Sequence, residues 1–202
     1  LAFAILMNFG SYFFSHKIVL AMYRAKEVSK SQAPELHEII EKISKEAKIS
    51  KPKVFLIPTN NSNAFATGRN QKTAVVAVTQ GILNLLSKEE LKGVISHEIA
   101  HIKNKDILIS TIATTIASII SYIAFMARWT AIFGGAGRDR DSGNLFELLA
   151  LAIVAPMAAL IIQLAISRSR EYIADESGAT YIKNGIPLAN ALKKLESNNK
   201  SN

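Results

Sequence analysis

From Ile107 to Ala127 the chain carries 21 consecutive residues without a charge, and this run restricts the fold more than any other feature. As a helix rising 1.5 Å per residue it measures about 32 Å, against about 30 Å for the hydrocarbon core of a bilayer. A spanning segment must bond its backbone groups internally, so it has to be helical. Its first half carries Ser110, Thr111, Ala113, Thr114, Ala117 and Ser118, small residues that allow another helix to approach closely in lipid. Apolar residues make up 49% of the chain, which is rich for a water-soluble protein and consistent with membrane spans.

Immediately upstream, Ser87 to Asp106 reads SKEELKGVISHEIAHIKNKD. Ser87 and Glu90 have the spacing of a capping box, and Leu91, Val94, Ile95 and Ile102 form an apolar stripe. On such a helix His97 and His101 are four residues apart and share a face, so both imidazoles can bind one tetrahedral Zn²⁺. Glu98 beside the first of them is placed to act on water at the metal. The alternative is a pair of partly buried histidines with no metal. There are no cysteines and only four histidines, so further metal ligands must come from His, Asp or Glu.

The other segments fit around this pair. Residues 1–23 read as most of a membrane span followed by Arg24, Lys26 and Lys30, with His16 at the interface; a buried amphipathic helix is the rival reading. The chain opens on Leu1 inside this apolar run, as a fragment of a longer protein would. Pro34 opens an amphipathic helix with Leu36, Ile39, Ile40, Ile43 and Ala47 on one face, and His37 reads as a surface residue. Residues 53–58 and 73–79 read as strands separated by a polar loop at 60–71. The second strand could be a sheet edge that binds an extended substrate by strand addition, or one arm of a plain hairpin. Residues 128–147 form a glycine-rich connection without the Lys-Ser/Thr of a phosphate loop. A second span follows at 148–166, where Pro156 should produce a kink.

Two successive spans return the chain to its starting side, with Arg168 and Arg170 at the exit and Lys103 and Lys105 at the entrance on the positive, cytosolic face. The net charge of +8 fits that bias. No basic patch interleaved with aromatics or nucleic-acid motif is present, so nucleic acid is not an expected partner. His101 and Glu171 each lie within about six residues, or about 9 Å of helix, of the same interface. Glu171 thereby becomes the candidate third ligand, and Asp175, one turn later, a carboxylate able to orient a ligand imidazole. Glu176 reads as part of a solvated helix face.

The stretches NAFATG at 63–68, SHEIAHIKNKD at 96–106 and SRSREYIADESGA at 167–179 resemble the HtpX-type integral-membrane zinc metalloproteases, relatives of the CAAX prenyl endopeptidases and of a mitochondrial stress peptidase. The resemblance runs over nearly the whole chain. It implies a mainly α fold with a small β-sheet, in a multi-span membrane protein with a cytosolic gluzincin-like zinc peptidase domain. Residues 31–106 and 167–202 would be the two parts of that domain, separated by the spans 107–127 and 148–166. Carried over, His97, His101 and Glu171 are the ligands of one Zn²⁺ per chain, Glu98 is the general base, Asp175 supports a ligand, and Asn63 lies near the substrate cleft. The implied function is inner-membrane proteolysis of membrane-protein substrates in quality control and the stress response, with the lipid bilayer as the other partner. The family's usual first span and C-terminal His-Pro segment are not represented, so an oxyanion-stabilising residue is expected outside the chain. Two rivals stay open: an intramembrane protease with its zinc helix in the bilayer, and a membrane scaffold whose zinc is only structural.

Overall fold

The computed structural model describes residues 17–68, 70–133 and 142–201. The predicted span at 1–23 and His16 therefore lie largely outside the described residues, as does the middle of the glycine-rich connection, 134–141; its ends correct the reading, since 128–133 and 142–147 belong to the two long helices. What is described is mainly helical, with one small mixed sheet and two helices long and apolar enough to cross a membrane. It divides into two compact units, one from the described residues of 109–169 and the other from 17–108 with 170–201.

The second unit contains the sheet. Strands β1 (Lys26–Glu27), β2 (Lys53–Ile57), β3 (Ala64–Thr67) and β4 (Val75–Thr79) are arranged in the order β1-β2-β4-β3. β2 and β4 are parallel, pairing Val54 with Val76 and Leu56 with Val78, so the plain hairpin is ruled out. β4 is interior and buried along its whole length, which suits its unbroken run of apolar and β-branched residues. The edge is β3, formed by Ala64-Phe65-Ala66-Thr67 inside the segment that reads as a polar loop. The polar residues on either side hide this strand in the sequence, and its order comes from the antiparallel ladder to β4.

Helix α1 (Pro34–Glu46) begins at its proline and buries Leu36, Ile39, Ile40 and Ile43. His37 corrects its surface reading. It is half-buried, and its Nε2 donates to the carbonyl of Val28 at 2.9 Å, tying the start of α1 to the segment after β1. After the short α2 (Gln80–Leu85), α3 (Lys88–Lys103) starts at the expected capping box: Ser87 Oγ accepts from Glu90 N at 3.3 Å, and Ser87 N donates to Glu90 Oε2 at 2.8 Å. Its apolar stripe enters the same core as α1 and the sheet. A Cβ added to Gly93 would lie 2.5 Å from the backbone nitrogen of Leu188, so only glycine permits the close approach of α6 (Ile186–Ser201).

α3 does not run straight into the apolar segment. It ends at Asn104, Lys105 adopts φ +58°, and α4 (Asp106–Phe133) begins at the next residue. α5 (Ser142–Ile182) is a single helix of 41 residues that continues through Pro156.

In the first unit, Gln163 Nε2 on α5 donates to Thr114 Oγ1 on α4 at 3.0 Å. The helices otherwise leave large apolar side chains uncovered, including Ile112, Ile116, Ile123, Leu160, Ile161 and Leu164, each more than half exposed. Apolar side chains exposed in such number are costly in water and matched to lipid.

Candidate metal centre

Helix α3 carries His97, Glu98 and His101, and α5 carries Glu171 and Asp175. Close packing allows the two helices to meet here. A Cβ on Gly178 would stand 3.0 Å from the backbone nitrogen of His97, so the absent side chain lets α5 lie directly against the histidine helix.

Three ligand atoms converge: His97 Nε2 and His101 Nε2 are 2.9 Å apart, and Glu171 Oε2 lies 3.4 Å from the first and 3.8 Å from the second. Ligands at about 2.0–2.1 Å around a tetrahedral zinc ion stand about 3.3 Å from one another, a separation that the edges of this triangle, 2.9 to 3.8 Å, bracket. Of the three residues, Glu171 is exposed and the histidines half-buried. Burial is the main cause that holds the His97 imidazole below its ordinary range, with the neighbouring His101 acting in the same direction. A neutral ring with a free lone pair is the form that binds metal.

Each imidazole has a carboxylate behind it. Asp175 Oδ1 lies 2.8 Å from His97 Nδ1, although off the line of a well-aligned hydrogen bond. His101 Nδ1 lies 2.7 Å from Asp106 Oδ2, to which it donates. Both contacts direct Nε2 towards the ligand triangle.

Asp106 escapes the sequence reading, in which it is only one of the charges before the apolar run. It is five residues beyond His101, the wrong interval for one helical face, and the break at Lys105 brings it back. Arg170, read as a charge of the cytosolic exit, also belongs here: its Nε and Nη2 donate to Asp106 Oδ1.

Glu98, between the two histidines in sequence, also reaches the edge of the sheet. Ala66 N–H on β3 donates to its Oε2 at 2.7 Å. The residue keeps part of its surface open, yet its carboxyl is enclosed, and burial pushes it up to about 7. Asn63 is exposed at the head of β3, with its backbone bonded to Thr79. Tertiary structure therefore brings His97, His101, Glu171, Glu98 and Asp175 into one cluster, while Asn63 stands at the start of the adjoining edge strand.

Comparison with known proteins agrees with this geometry. The sequence model of peptidase family M48 matches residues 30–198. A protease HtpX homolog of Persephonella marina is 57% identical over 194 residues, covering 96% of this chain and 67% of that protein. One of Thermodesulfovibrio yellowstonii is 58% identical over 190 residues, covering 94% and 67%, and one of Pyrococcus furiosus is 54% identical over 193 residues, covering 96% and 67%. The crystal structure of S. mikatae Ste24p shares the fold, with a TM-score of 0.66 at 19% identity over 98% of this chain. The chain spans about half of that solved protein, 49% of its length.

Proposed function

The chain belongs to peptidase family M48, and on that premise we propose that it is a membrane-bound zinc endopeptidase. Its substrates are membrane proteins, cut at the cytosolic face of the inner membrane in quality control and the stress response. The family is zinc-dependent, and His97, His101 and Glu171 would hold the ion. The observation that carries the reading is the convergence of their three ligand atoms within 4.8 Å of one another, with Glu98 on the same helix.

When bound, zinc supplies Lewis acidity towards a water molecule and the scissile carbonyl. The rest falls to the protein. Glu98 accepts the proton of the attacking water and returns it to the leaving amine nitrogen. A carboxyl near pH 7 in affinity suits both halves of that transfer, and the Ala66 N–H fixes its orientation. The outward edge of β3 runs past Glu98, so an extended substrate added to that edge would bring its backbone to the site through main-chain hydrogen bonds. This makes β3, not β4, the substrate strand, with Asn63 at its head.

The cytosolic, multi-pass arrangement rests on the chain itself. Lys103, Lys105 and Asp106 lie between His101 and the apolar run, and charges in the middle of a bilayer cost several kcal/mol each. Residues 107–127 and 148–166 are the spans of this reading, and 31–106 with 167–202 the catalytic parts. Sites a few residues beyond a substrate's own spans are then favoured, because a shared membrane keeps them at high effective concentration.

The test uses full chain purified in detergent. Hydrolysis of an unfolded membrane-protein tail should cease on chelation and return with one equivalent of Zn²⁺. Hydrolysis that survives complete metal removal would contradict the reading.

A further inference from the structure

The structure joins the orienting carboxylate of one metal ligand to the residue that precedes another. Asp106 is 6% exposed, and a carboxylate so enclosed needs a compensating partner to remain charged. Arg170 is that partner, and it is itself only 16% exposed at its side chain. The guanidinium does more than neutralise. Nη2 also donates to the carbonyl of Asn104, 3.2 Å away, an acceptor at the end of α3 that has no intrahelical N–H to take up. One side chain of α5 therefore holds both sides of the break at Lys105: the last carbonyl of the histidine helix and the first carboxylate of α4.

The consequence reaches both ligands. Asp106 fixes the ring plane of His101 through Nδ1, while Arg170 is covalently next to Glu171. We propose that Asp106 and Arg170 form a positioning tie which sets His101 and Glu171 in mutual register before metal enters, and that zinc affinity depends on it. His97 has no such tie, because its carboxylate Asp175 is half exposed and lies on the ligand helix α5 itself. The inference rests on the metal-binding role proposed above for His97, His101 and Glu171. It adds two residues that act through the ligands without touching the metal.

A buried ion pair could equally serve as a strap that only stabilises the fold, and the experiment separates these roles. Zinc affinity is measured by competition with a chromogenic chelator on detergent-solubilised full chain, and the melting temperature is measured on the zinc-free protein. The variants are Asp106→Asn, Arg170→Gln, Arg170→Lys and the double variant Asp106→Asn/Arg170→Gln. Asp106→Asn and Arg170→Gln each leave one charge buried alone, so the uncharged double variant is the decisive one for a protein that stays folded. Removing an outer partner of a ligating histidine typically weakens metal binding about 10- to 100-fold. The double variant should show a loss of that size, no larger than the loss in Asp106→Asn, with a zinc-free melting temperature nearer to wild type than that of Asp106→Asn or Arg170→Gln. Arg170→Lys should recover only part of the affinity, because an ammonium cannot reach both Asp106 and the Asn104 carbonyl in the fixed fork of a guanidinium. Zinc affinity in the double variant within about threefold of wild type would overturn the tie, as would full recovery in Arg170→Lys. A wild-type chain that binds no zinc at all would instead remove the metal site and, with it, the premise of the tie.

Discussion

Glu90 and Glu98 stand two turns apart on α3 and are driven in opposite directions. Lys194 and the backbone N–H of Ser87 pull the Glu90 carboxyl from 4.5 down to about 2, whereas burial pushes Glu98 up to about 7. The first shift is a stability statement. A carboxyl whose folded value is depressed stabilises the fold above its unfolded value and loses that contribution as pH falls through the folded one. Melting temperature should therefore drop between about pH 5 and 2 more steeply in wild type than in Lys194→Met, which has less of this stabilisation to lose; parallel acid profiles would refute the pairing. The second shift belongs to the chemistry. Glu98→Gln keeps the shape but cannot accept a proton, so zinc content should stay while hydrolysis falls about 10²- to 10⁴-fold; hydrolysis within about threefold of wild type would rule out the base. The residues of this cluster differ in how far the sequence exposes them. His97, Glu98 and His101 are readable because helix periodicity alone puts the histidines on one face. Asp106 is not, because its approach to His101 depends on the positive φ of Lys105, which no local pattern of residue types announces. His37 fails for a related reason: its partner is a backbone carbonyl nine residues earlier, and backbone acceptors carry no sequence signature.

At the level of elements, the legible ones are those with strong local signals. The Ser87–Glu90 box, the apolar stripes of α1 and α3 and the uncharged run of α4 all appear where their periodicity puts them. Strand β3 is hidden because a four-residue edge segment, half alanine and flanked by polar residues, has little intrinsic strand signal, and its order comes from pairing with β4. This matters for the site, since β3 supplies the amide that holds Glu98. The approach of α3 to α6 is likewise a tertiary fact that the sequence marks only with a glycine. Gly93→Ala would drive its Cβ into the backbone at Leu188, and overpacking of this kind costs about 1–3 kcal/mol. A clearly lower melting temperature is the expected result, and an unchanged one would mean that the two helices part without penalty.

For the whole molecule, the apolar lengths of α4 and α5 are plain in the sequence, while the side of the membrane on which each end lies is inferred from Lys and Arg alone. Single cysteines at Ser87, Ser110 and Ser142 test that inference in sealed vesicles. Ser87→Cys should label only from the cytosolic side, Ser110→Cys poorly from either, and Ser142→Cys only from the opposite side; labelling of the first and last from one common side would exclude a spanning hairpin. A hairpin explains how two ligand segments separated by about 70 residues of sequence can belong to one site, and the central claim is that they do. The most direct measurement is the zinc content per chain of purified wild type and of Glu171→Ala after reloading and removal of loosely bound metal. Wild type should retain one zinc per chain and Glu171→Ala almost none, because three protein ligands are the minimum for an open site of this kind. Near-full zinc in Glu171→Ala would contradict the account, since the ion would then be held without the helix that carries the third ligand.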